Sequence, residues 1–125
     1  MIAGDIFTRA VALIGSFNED GGIDEDSTAL YKSLAPDIID QTQKELAFLE
    51  GITAEPVLTL EDAITISDDS AGRIMPYGVA MRFVLAEANA MLFNQFELEY
   101  QAAKRTVRHE DEAITDKYDV LAGMG

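Results

Sequence analysis

Cysteine is missing from this sequence, histidine occurs once, and bases are outnumbered by acids nine to twenty-three. Without cysteine there is no disulfide framework, no thiolate zinc site and no thiol nucleophile, and the absence leans towards a reducing compartment. A solitary His109 leaves a histidine metal cluster or a Ser-His-Asp triad without its other members. Long apolar runs are missing too. No stretch approaches the ~20 apolar residues that span a bilayer, so the chain reads as soluble and without a membrane partner. The opening Met1-Ile2-Ala3-Gly4-Asp5 lacks the basic residues and apolar run of a secretory signal, which points to synthesis in a cytoplasm. Scarcity of Lys and Arg also bears on partners. Non-specific DNA binding draws on those side chains to neutralise phosphates, and a net charge of −14 predicts no tight DNA binding by the monomer.

What is present is enough apolar material, 48% of 125 residues, to build one core without a staple. Domains cluster at about 100–150 residues, and the sequence shows no repeat, low-complexity tract or linker, so one domain is expected. The acids are unevenly spread. Residues 1–50 hold ten acids against three bases, residues 51–70 five against none, and residues 71–125 eight against six. One strongly negative surface follows, of the kind that repels polyanions or docks on basic partners.

The patterning predicts a mainly α fold: a four-helix antiparallel bundle-like domain over 1–108 and an extended tail over 109–125. The first helix runs from Asp5 to Phe17, with Ile6, Ala10, Leu13, Ile14 and Phe17 at helical spacing and Asp5 as N-cap. An acidic loop, 18–26, leads to a second helix capped by Ser27 or Asp26 and running to about Leu49. Pro36 kinks it and Gly51 stops it. Leu58, Leu60, Ile64 and Ile66 alternate with polar residues, and this period of two predicts a short β-hairpin over Val57–Ile66. Ser67-Asp68-Asp69-Ser70 opens a third helix, Ala71 to Ala88. Its centre is apolar nearly all round except at Arg82, which predicts cover on every side, part of it from a neighbouring subunit. Asn89 caps a fourth helix reaching about Arg108, where Phe93, Phe96, Tyr100, Ala103 and Val107 form a narrow seam. That seam is either a core stripe or a contact between protomers. Residues His109 to Gly125 read as a polar tail anchored by Val120 and Leu121.

Candidate chemistry is thin. Aligning Gly21 with the glycine of an EF-hand loop puts Asn18 and Asp20 in ligand places. The same register puts Ser16 and Ser27 where the anchoring carboxylates belong, so a calcium site is not expected. The adjacent acids Glu19-Asp20, Asp68-Asp69 and Glu110-Asp111-Glu112 lie in polar runs, not in the apolar pocket that splits the pKa values of a catalytic pair. Gly21-Gly22 lacks the Lys-Ser/Thr and flanking strand of a phosphate loop. No cofactor, metal or catalytic residue is assigned, and the chain is read as a non-enzyme. The alternative to a structural role is a small acidic module of the DNA-mimic type, inhibiting a nucleic-acid-binding protein.

Several segments carry a resemblance: Gly4-Asp5-Ile6-Phe7-Thr8-Arg9-Ala10, Ala35-Pro36-Asp37-Ile38-Ile39, Ile64-Thr65-Ile66-Ser67-Asp68-Asp69, Ile74-Met75-Pro76-Tyr77-Gly78-Val79-Ala80, Leu85-Ala86-Glu87 and Phe93-Asn94-Gln95-Phe96 with Tyr100. Across most of residues 4–100 the chain resembles the head–tail connector, or head-completion adaptor, proteins of tailed bacteriophages and prophages. Ser67 stands where many members carry proline, and the residues beyond Val107 match nothing in that pattern. The resemblance implies a structural protein of the virion neck, made in the bacterial cytoplasm. It implies a ring of about twelve subunits beneath the portal. Such a ring binds the portal protein and a tail-completion protein and lets DNA pass through its channel without specific binding. It implies contacts through the hairpin and the C-terminal arm. With the seam on the fourth helix, the expected interface residues are Leu58, Leu60, Ile64, Ile66, Phe93, Phe96, Tyr100, Val120 and Leu121.

Overall fold

The computed structural model describes residues 1–18 and 22–108. Four helices carry the fold: α1 (Ala3–Gly15), α2 (Glu25–Glu50), α3 (Met75–Ala86) and α4 (Ala90–Lys104), with a π-helical turn, Ser70–Ile74, leading into α3. The mainly helical expectation therefore stands, with its boundaries corrected. The expected tail, including Val120 and Leu121, lies outside the described residues, as does the acidic stretch 19–21.

Helix ends explain most of the boundary shifts. Asp5 does not precede α1 but sits in its first turn, where its carboxylate accepts from the Ile2 N–H at 2.9 Å. The N–H groups of Ala3 and Gly4 donate to the carbonyls of Asp62 and Leu60, both at 2.8 Å, so a distant loop satisfies donors that a lone helix end leaves open. Asp24 caps α2, in place of Ser27 or Asp26, by accepting from the Ser27 N–H at 2.7 Å. The helix continues unbroken through Pro36 and ends where expected, at Gly51, whose φ of 74° suits a residue without a Cβ. Asn89 caps α4 as expected, accepting from the Leu92 N–H at 3.1 Å.

The wide turn before α3 has a local cause. Pro76 has no N–H, so the Gly72 carbonyl loses the donor a regular helix would supply four residues later. Arg9 on α1 replaces it, its guanidinium donating to that carbonyl at 3.2 Å. Helix α3 then runs through the middle of the molecule, with α1, α2 and α4 all packed on it. Met75, Val79, Ala80, Phe83 and Val84 are buried, Phe83 stacking on Tyr31 with ring centroids 4.8 Å apart. The chain's own helices thus supply most of the cover expected for the third helix, and Leu85, 55% exposed, is its large apolar side chain left outside.

The hairpin over 57–66 is also corrected. Residues 52–67 contain no strand, and the one β-type pairing among the described residues is an isolated bridge between Ile2 and Ala63. The expected apolar side is kept only in part: Ile64 and Ile66 point inward, but Leu58 is exposed and its neighbour Val57 is buried instead. The backbone groups, however, find partners on α2. The Asp40 carboxylate accepts from the Val57 N–H at 2.9 Å. Gln43 accepts from the Thr65 N–H at 2.7 Å and donates to the Glu55 carbonyl at 2.8 Å. Glu50 accepts from the Ser67 N–H and hydroxyl. An extended segment tied to a helix by side chains can bury alternate residues, as at Ile64 and Ile66, without pairing as a strand.

Candidate interaction surface

The densest polar cluster of the interior joins three helices. From α2, Glu45 accepts from the Tyr100 hydroxyl on α4, from Arg82 on α3 at 3.1 Å and from Lys104 on α4 at 3.3 Å. Arg82 also donates to the Thr42 hydroxyl at 2.7 Å. The Lys104 ammonium lies 4.6 Å from the centre of the Tyr100 ring, within cation–π range. Burial works to raise the Glu45 carboxyl, but the Tyr100 hydroxyl and the two cations outweigh it and hold it below its ordinary value. Burial and the adjacent carboxylate push the Tyr100 phenol far above its usual range, so it stays a donor. Each of these groups is occupied by the others. The cluster locks α2, α3 and α4 together.

The expected interface residues separate into two groups. Ile64, Ile66, Phe96 and Tyr100 are buried in the chain's own core, so for the seam on α4 the core-stripe alternative describes Phe96 and Tyr100. Leu60 and Phe93 are partly buried against that core. Leu58 alone among the described members of the set faces solvent, with 77% of its surface exposed.

Three other large apolar side chains are as exposed: Phe48 at 80%, Met91 at 74% and Leu98 at 73%. The sequence reading missed them, although the signal was there. Phe48 falls off the Tyr31-Ala35-Ile39-Leu46 stripe of α2, and Met91 and Leu98 lie opposite the Phe96-Tyr100 stripe of α4. Met91 and Leu98 share an outward face with Asn94, Gln95, Gln101 and Ala102, and Glu97 lines a shallow depression on it with Asn94, Leu98 and Gln101. Glu97 and Glu99 flank Leu98 in sequence, one on each side of that face.

Two depressions complete the surface. A cleft of about 690 Å³ is lined by Ile52, Ile66 and Val107 together with Glu50, Asp69, Arg73 and Arg108. A groove of about 470 Å³ runs between α1 and the start of α3, with Leu13, Pro76 and Tyr77 as apolar walls and Arg9 and Arg73 in its lining, which holds no carboxylate. A smaller depression shares Leu13 and Tyr77 with it and adds Phe17 and, from α4, Gln95, Phe96 and Glu99.

No group of histidines, cysteines and acids among the described residues is arranged to hold a metal ion, and no helix there is long and apolar enough to cross a membrane. Comparison with known proteins finds no match, whether among family models, curated proteins or solved structures.

Proposed function

We propose that this chain is a structural assembly protein, its four helices forming an antiparallel bundle, and that its assembly is of the head–tail connector type its sequence resembles. In that role it forms a ring at the portal vertex of a tailed phage or prophage, binds the portal protein on one side and a tail-completion protein on the other, and performs no reaction. The observation that carries the assembly reading is the exposure of Phe48, Leu58, Met91 and Leu98 on a domain whose helices already bury a complete core. Apolar side chains that gather on one face outside the core mark surfaces that a partner covers, as Met91 and Leu98 do on α4. The connector identity rests on the sequence resemblance. The charge of −14 agrees with both, since a negative channel wall gives DNA phosphates nothing to hold.

The test is mass and shape. Purified chain mixed with the portal protein encoded beside it should give rings by electron microscopy and a matching mass by light scattering. A chain that stays monomeric in that mixture, or that turns over a small molecule, would overturn the reading. Displacement of DNA from a basic host protein by the monomer would favour the DNA-mimic alternative instead.

A further inference from the structure

We infer that the groove between α1 and α3 is a receptor for the outward face of α4 from a second copy of this chain. The argument starts with charge. In a chain with nine bases and twenty-three acids, a groove lined by two arginines and no carboxylate is an exception. Arg73 is held by Asp69 at 2.8 Å, but Arg9 makes no ion pair among the described residues. Asp5 and Asp68 line only its other flank. Apart from Ser16 the rest of its lining is apolar, so its complement is a large apolar side chain carried beside carboxylates.

The same molecule displays that complement. On α4 the exposed Leu98 stands between Glu97 and Glu99, on a face that otherwise carries neutral amides and alanine. The spacing agrees as well. Leu98 and Met91 are seven residues apart, about 10 Å along a helix. Arg9 and Ser16 span the same seven residues on α1, with Phe17 next beyond. Seating Leu98 beside Arg9 therefore brings Met91 over Ser16 and Phe17, with the incoming helix antiparallel to α1. An amphipathic helix laid in an apolar groove is a recurring mode of protein recognition. Groove and helix face are not the same patch, although they adjoin at Gln95 and Glu99, so the contact is heterologous, the kind that propagates into a ring when the rotation closes. It rests on the assembly reading in one respect, that the chain associates with itself.

The experiment is a charge exchange read by analytical ultracentrifugation of the full chain over a wide concentration range. Wild type should gain mass with concentration. The double variant Arg9→Glu/Arg73→Glu and the double variant Glu97→Arg/Glu99→Arg should each associate about tenfold more weakly or worse. An equimolar mixture of the two should associate again, because each reversed groove then meets a reversed helix. Leu98→Arg covers the case in which a groove variant fails to fold. Its side chain faces solvent, so helix content and thermal midpoint should hold while association is lost. Wild-type association that survives these changes, or a mixture of folded variants that stays apart, overturns the inference and leaves the assembly reading standing. A solitary wild type overturns the inference as well, and the assembly reading is then decided by the portal mixture alone.

Discussion

At the scale of single residues, two positions inside the three-helix junction set the tolerance of the fold. Gly78 lies on the α3 face that meets Tyr100. A Cβ there would come within 2.7 Å of two ring carbons and 3.0 Å of the Thr42 methyl, closer than packed atoms allow. The ring cannot swing away without giving up its bond to Glu45 and its place beside Lys104. Gly78→Ala should therefore lower stability by about 1–3 kcal/mol, the range for overpacking, although alanine is the better helix former. Urea unfolding monitored by circular dichroism measures it, and a stability equal to wild type would show that α3 and α4 separate freely. Glu45 gives a dependence on pH. Its folded value is depressed, so its stabilising contribution is complete above the ordinary value of 4.5 and disappears as pH falls through the lower folded value. Glu45→Gln should flatten the acid limb of stability against pH below 4.5, whereas an unchanged limb would place the acid sensitivity on other carboxylates, Asp40 among them.

At the scale of elements, what could be read from the sequence divides between local and distant causes. Gly51 and Asn89 end and start helices through their own backbone and side-chain chemistry, and both were legible. Asp5 was misplaced because Ala3 and Gly4 are satisfied by Leu60 and Asp62, residues far along the chain. The segment 57–66 was misread for the same reason. Its alternation fits a hairpin, and only the reach of Asp40, Gln43 and Glu50 from α2 decides that it is a strap. Of the surface, the exposure of Leu58 was not legible, since its pattern groups it with the buried Ile64 and Ile66, and the groove needs α1 and α3 side by side before it exists. The strap makes its own prediction. Gln43 is fully buried and holds both the Thr65 N–H and the Glu55 carbonyl. Gln43→Leu keeps the volume but leaves two backbone groups unpaired, costing about 1–3 kcal/mol. Hydrogen exchange should then speed up at Thr65 while the amides within α3 keep their order of protection. If Thr65 exchanges as slowly as in wild type, the strap is held by its apolar anchors, Val57, Ile64 and Ile66.

At the scale of the whole molecule, a charge of −14 opposes any contact between two copies, and the apolar surface that favours contact is local. These two effects respond differently to salt. Repulsion between whole molecules acts over distances beyond the Debye length, which is about 30 Å at 0.01 M and about 8 Å at 0.15 M, so added salt removes most of it. Pairs such as Arg9 with Glu97 or Glu99 of another copy would sit at the rim of the contact, where an ion pair contributes about 0–1 kcal/mol and decides pairing more than affinity. Burial of Leu98 and Met91 is not weakened by screening. Self-association should therefore strengthen as salt rises from about 0.01 M to about 0.15 M, then level off. Sedimentation at a fixed protein concentration reads this directly. A steady weakening with salt would mean that attraction between arginines and carboxylates outweighs the net charge, and that the apolar side chains contribute little to the contact.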